Sequence, residues 1–362
     1  MSQSTKRRLS AICNCCDQPF AATGVSRRQL LAAGVVAFAA MSLQVRVFAQ
    51  AKPHRIDVHH HVAPPSWLNA MDIIGRTNPP LANWSVQKTL DDMDKGAVAT
   101  AMLSPTAPQV VPLGKGVGVK IAREANEYSK KLMADHPGRF GIFATLPLAH
   151  VDESLQEIAY AFDTLKVDGI GMLTNYGDKW LGHPFLSPIW EELNRRKATV
   201  YTHPADANCC VNLVQGLPGS AIEWGTDSTR SIANLIFSGT SQKYRDIINW
   251  IFSHGGGALT SFAERFLVQM TSTPPYKEKF TRESVQAELN RFYYDTAQVT
   301  MAGTLGALAK LVPVSQIVYG TDFPYRTAAD HSKGVAAIFS GDDLKKVDRE
   351  NALRLIPRLQ SA

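Results

Sequence analysis

His59 and His61 close the run Asp57-Val58-His59-His60-His61, and in an extended strand that spacing turns both imidazoles to one face and His60 to the other. Three further polar groups end comparable runs: His203 in Tyr201-Thr202-His203-Pro204, His254 in Ser253-His254-Gly255-Gly256-Gly257, and Asp322 in Tyr319-Gly320-Thr321-Asp322-Phe323-Pro324. Four imidazoles and one carboxylate are the donors that suit a hard-to-borderline divalent ion with room left for water or substrate. Any one of these histidines alone reads more readily as a hydrogen-bonded structural residue than as a ligand. The set points to a metal site. His60 reads as a packing or supporting residue on the opposite face, and His54, His136, His150, His183 and His331 read as surface or loop residues.

These donors are far apart in the chain, so only a fold that gathers strand ends can bring them together. Short β-branched and apolar runs at 55–61, 97–103, 140–146, 169–173, 199–203, 250–254, 292–296 and 317–322 read as strands. Segments with helical spacing at 86–95, 117–136, 151–165, 186–197, 228–238, 262–270, 282–289 and 301–311 fall between them or follow close by. Eight β/α repeats imply an α/β protein with a (β/α)8 TIM barrel, whose strand ends share one mouth. An open doubly wound sheet is the competing architecture, but no Gly-x-Gly-x-x-Gly follows the first strand; histidines stand there instead. No repeat or long linker divides residues 52–362, which read as one barrel domain.

The chain has 362 residues, 45% hydrophobic and 19% charged, which excludes intrinsic disorder. Its net charge of +6 does not imply a nucleic-acid partner. Lys6, Arg7, Arg8, Arg27, Arg28 and Arg46 against Asp17 concentrate the excess in residues 1–51, and the rest is nearly neutral. Within that leader Ser26-Arg27-Arg28-Gln29-Leu30-Leu31 precedes an apolar run too short to span a bilayer, and Ala49-Gln50-Ala51 offers a cleavage pattern. The expectation is a twin-arginine signal peptide over residues 1–51, recognition by the twin-arginine export machinery, and a periplasmic or extracellular mature protein. An uncleaved anchor is the alternative. After cleavage only Cys209 and Cys210 remain, with no disulfide framework, and the strain of bridging neighbours favours two free thiols.

In their order and combination, Ile56 to His61, Thr202-His203-Pro204, Ser253 to Leu259 and Tyr319 to Pro324 resemble the amidohydrolase-related proteins of the aminocarboxymuconate-semialdehyde decarboxylase type. The stretches Asn175 to Gly182 and Trp190 to Lys197 resemble the 6-methylsalicylate decarboxylase branch. The resemblance implies a distorted barrel holding one Zn2+ or Mn2+ on His59, His61, His203 and Asp322, with His254 catalytic beside it and no organic cofactor. It also implies that Arg265 reaches into the neighbouring subunit of a homodimer to hold a substrate carboxylate. The fourth strand, Gly169-Ile170-Gly171-Met172-Leu173-Thr174, lacks the lysine that bridges two metals in binuclear relatives. Where the semialdehyde decarboxylase has a substrate-binding arginine after its tryptophan, counting from Trp84 leads to Thr89, which argues against the semialdehyde as substrate.

The expected activity is non-oxidative decarboxylation of a small aromatic acid such as a salicylate. Asp322 would shuttle a proton to the ring carbon, and His254 would act as base or hydrogen-bond the phenolate. Among Trp67, Trp84, Trp180, Trp224 and Phe323, the residues Trp84 and Phe323 are the candidates for stacking on the substrate. Hydrolysis of a lactone or amide would use the same ligands, and an exported metal- or solute-binding protein would use them without turnover.

Overall fold

The structure is a computed structural model and describes residues 52–247 and 249–361. The leader, with its expected export signal, lies outside the described residues. Eight strands run in parallel and in chain order around one sheet: β1 (Arg55–His61), β2 (Val98–Ser104), β3 (Phe140–Thr145), β4 (Gly169–Leu173), β5 (Thr199–His203), β6 (Asn249–Phe252), β7 (Tyr293–Asp295) and β8 (Ile317–Val318). The chain beyond β8 closes the ring against β1. Val58 N–H donates to Tyr319 O at 3.0 Å, Asp322 N–H to His59 O at 2.8 Å, and His61 N–H to Phe323 O at 2.9 Å. This is the expected barrel.

The strands are buried on both faces, as parallel strands covered by helices must be. Their outward side chains pack against an outer layer that includes the helices Val86–Lys95, Gly114–Asp135, Ser187–Arg195 and Glu223–Phe237. Inside the barrel Ile56, Val58, Met102, Phe143, Tyr201, Ile251 and Val318 form a separate core, closed from below by Ala352, Leu355, Ile356 and Leu359 of the C-terminal segment. A register shift in the β1–β2 ladder between Asp57 and His60 transfers the inward face from Val58 to His59. One strand can therefore fill the barrel floor with Val58 and the mouth with His59 and His61.

Several local readings differ from the structure: the strands expected over 250–254 and 317–322 are Asn249–Phe252 and Ile317–Val318. The helix expected over 262–270 begins at Leu259 and passes at Arg265 into wider π-helical turns through Met270. His331 is fully buried rather than superficial, because it lies on the inner face of helix Ala328–Ala336, edge-on to Tyr319 and 2.9 Å from Thr296 Oγ1. Cys209 and Cys210 form a disulfide rather than two free thiols, their side chains converging in the tight turn Asn208–Cys210.

Candidate active site

The mouth of the barrel gathers the ends of β1, β5, β6 and β8. Three histidines there commit Nδ1 to a neighbouring acceptor: His59 to Asp295 Oδ2 at 2.8 Å, His61 to Ser104 O at 3.2 Å, and His203 to Pro204 O at 2.8 Å. With Nδ1 carrying the proton, each neutral ring presents an Nε2 lone pair toward the centre of the mouth. Asp322 Oδ1 lies 3.2 Å from His59 Nε2 and 3.1 Å from His61 Nε2. His203 Nε2 is buried and has no hydrogen-bond partner among the described residues. His254 stacks on His59 at 5.0 Å, and its Nε2 lies 3.6 Å from Asp322 Oδ2.

The donor set fits a divalent ion. Donors about 2.0–2.2 Å from one ion stand roughly 3.0–3.5 Å from each other, and the triangle of His59 Nε2, His61 Nε2 and Asp322 Oδ1 has edges of 3.1–3.2 Å. His59, His203, His254 and Asp322 offer ligand atoms that all lie within 4.8 Å of one another. The electrostatics ask for positive charge at the same place. Burial opposes protonation of His59, yet Asp295 and Asp322 outweigh it and push its pKa up to about 10. Burial also works against the charged form of Asp322, but the surrounding histidines, His59 foremost, hold its carboxyl well below the usual range. Burial, reinforced by the other imidazoles, keeps His203 neutral by lowering its pKa far below the usual histidine value.

Beside these groups opens a chamber of about 610 Å3, walled by His254, Asp322, Gln298, Tyr325, Asn78 and Trp224 and by the segment 218–221. That volume is in the range of small-molecule sites. Trp224 stands edge-on to His203 at 5.5 Å and donates Nε1–H to Asp206 at 2.8 Å. Tyr325 OH accepts from Asn78 Nδ2 at 3.0 Å.

The expected stacking pair is placed elsewhere. Phe323 is buried against His60, rings parallel at 4.6 Å, and Trp84 donates to His61 O at 3.2 Å. Both line a separate depression with Pro79 and Pro324, so the chamber takes its aromatic walls from Trp224 and Tyr325 instead. The physical reason is that the backbone bridge between His60 and Phe323 turns the Phe323 ring to the outer face of β1. Arg265 is exposed and makes no contact with the chamber. His60 is turned away from the mouth, as expected, with Nδ1 on Asp57 Oδ2 at 3.0 Å.

Asp295 is the residue that the reading of strand ends omitted. Its two oxygens hold His59 Nδ1, the His254 N–H at 2.8 Å and the Ala297 N–H at 3.0 Å, tying two of the site histidines to the end of β7. It stands at the end of the expected seventh strand, where the rule that located Asp322 would have found it.

The amidohydrolase family matches residues 56–358 of the chain. The chain belongs to that family. This amidohydrolase is 36% identical over 335 residues to a decarboxylase of Aspergillus niger, covering 84% of this chain and 88% of that one. It is 31% identical over 326 residues to a 6-methylsalicylic acid decarboxylase of Aspergillus aculeatus, covering 85% of this chain and 97% of the other. Its fold is shared by a dihydroxybenzoic acid decarboxylase from Polaromonas, solved with manganese and the inhibitor 2-nitroresorcinol. The TM-score is 0.69 at 22% identity, covering 85% of this chain and 98% of that one.

Proposed function

We propose that this amidohydrolase is a metal-dependent, non-oxidative decarboxylase of a small aromatic acid of the salicylate type, with 6-methylsalicylate as the first candidate. The observation that carries the reading is its 31–36% identity to decarboxylases over nearly all of the barrel. The donor set at the mouth supports it. His59, His61, His203 and Asp322 would hold one Zn2+ or Mn2+, which when bound would supply Lewis acidity toward the substrate carboxylate. The protein's own groups then handle the proton. The bond from the ring to the carboxyl carbon breaks, CO2 leaves, and the new C–H bond takes a proton that comes from solvent and is relayed through Asp322 or His254, which face the chamber together. Trp224 and Tyr325 supply flat apolar surface for the ring.

Hydrolysis of a lactone or amide needs the same ligands but is not favoured by the relatives, which are decarboxylases. Incubation of the purified, metal-loaded protein with 6-methylsalicylate, salicylate and simple lactones tests the choice. We expect CO2 and the corresponding phenol in equal amounts; addition of water to a lactone with no CO2 from any acid would overturn the reading.

We propose in addition that the protein is exported and that it assembles as a homodimer. Export by the twin-arginine route rests on the Arg27-Arg28 pair and the Ala49-Gln50-Ala51 pattern, and N-terminal sequencing of the protein recovered from a cell-envelope fraction tests it. A homodimer rests on Arg265, exposed on the same helical stretch as exposed Phe262 and Val268, and light scattering of wild type and Arg265→Ala tests it.

A further inference from the structure

Gln298 sits just beyond β7 on the turn Thr296–Val299, closed by Val299 N–H donating to Thr296 O at 3.2 Å. Its φ is +59° at the third position of that turn, where glycine or asparagine is favoured and a long side chain is sterically penalised. His254 and Asp322, with φ of +54° and +68°, are held in the same left-handed region and line the same chamber. Non-glycine residues kept in sparsely populated backbone regions cluster at functional sites. Of the eight such residues among those described, His254, Gln298 and Asp322 are the three that line this chamber.

Gln298 Nε2 donates to Asp322 Oδ2 at 2.8 Å. Reversing the amide would set two oxygens against each other, so the orientation is determined by the carboxylate. Oε1 makes no hydrogen bond to any described residue, and Gln298 belongs to the chamber wall. A group that is only an acceptor, that does not ionise and whose amide cannot flip distinguishes a ligand that brings a donor from one that does not.

We propose that Gln298 is a specificity-determining residue whose Oε1 accepts the hydrogen bond of the substrate's ring hydroxyl. The inference rests on the aromatic-acid reading given above. Phenolic acids are thereby selected over their O-methyl counterparts, because a methoxy group leaves the amide oxygen unpaired in the bound state. Asp322 gains from the same contact: while its partner amide is engaged on both sides, its Oδ2 stays anchored in place.

The test measures binding with unreactive ligands. 3-Methylphenol and 3-methylanisole are titrated by calorimetry into the metal-loaded full chain, wild type, Gln298→Met and Gln298→Gly; the glycine variant also relieves the backbone. Wild type should prefer the phenol about tenfold, the effect of one hydrogen bond. Both variants should bring the ratio close to one while the affinity for the ether stays near that of wild type. A merely structural role would weaken both ligands together and leave the ratio intact, which would overturn the proposal. CO2 release from hydroxybenzoates is followed in parallel. A wild type that releases CO2 but keeps its ratio in both variants overturns only the role of Gln298, whereas a wild type that releases none overturns the reading beneath it.

Discussion

The Nε2 atoms of His59 and His61 stand 3.2 Å apart while both Nδ1 atoms are engaged elsewhere. Two lone pairs facing each other at that distance in a buried site repel unless positive charge lies between them. In the absence of an ion a proton on His59 supplies that charge: burial opposes it, but Asp295 and Asp322 outweigh the burial and hold the pKa at about 10. Ion binding and proton binding therefore compete at one point.

Removal of the ion with a chelator should lower thermal stability. An ion at a hundred times its dissociation constant stabilises the fold by about 2.7 kcal/mol, which for a domain of this size corresponds to roughly 4 °C in melting temperature. Calorimetric scans before and after chelation, and again after addition of Mn2+ or Zn2+, check this. Scans unchanged by chelation would show that the histidine cluster holds no ion.

Asp295→Asn should weaken metal retention about 10–100-fold, the usual cost of losing a carboxylate behind a ligating histidine. The amide can still hold a backbone N–H but cannot favour a proton on His59 Nδ1 as a carboxylate does. Metal content after dialysis against graded chelator is the measurement.

Asp322→Asn and His254→Gln should each lower turnover by about 10²–10⁴-fold, the range for loss of a positioned acid or base. Circular dichroism and melting temperature at saturating metal should show that the fold is retained. Wild-type rates in either metal-loaded variant would remove that residue from the proton path.

His331 makes stability fall with acid. Burial is the main cause that lowers its pKa from 6.5 to about 4. The unfolded chain takes up a proton as pH falls through 6.5, while the folded chain does not until about 4. Its contribution is therefore fully present above pH 6.5 and is lost on the way down to 4, by roughly 3 kcal/mol. Urea unfolding at pH 7.5 and pH 5 should show a smaller pH difference in His331→Gln than in wild type.

Much of this architecture is legible before any coordinates. The runs 55–61, 169–173 and 199–203 are β1, β4 and β5 with identical bounds, because short runs rich in apolar and β-branched residues suit a covered parallel strand. The two C-terminal ends were less transparent. The β6 ladder stops at Phe252 and β8 at Val318, and His254 and Asp322 reach the site on left-handed turns that no apolar pattern encodes. The chamber walls were harder still. Whether Trp84, Phe323, Trp224 or Tyr325 faces a ligand depends on which side of a loop packs against which neighbour, and the β-bridge at His60 decides it for Phe323.

The barrel seam has a consequence for biosynthesis. His61 and Asp322 are 261 positions apart, yet they meet where the last strand docks on the first. A ribosome-bound chain cannot present both until nearly all of it has been translated and the ring has shut. A product truncated before Asp322 would have its histidines in order and no carboxylate to complete the set.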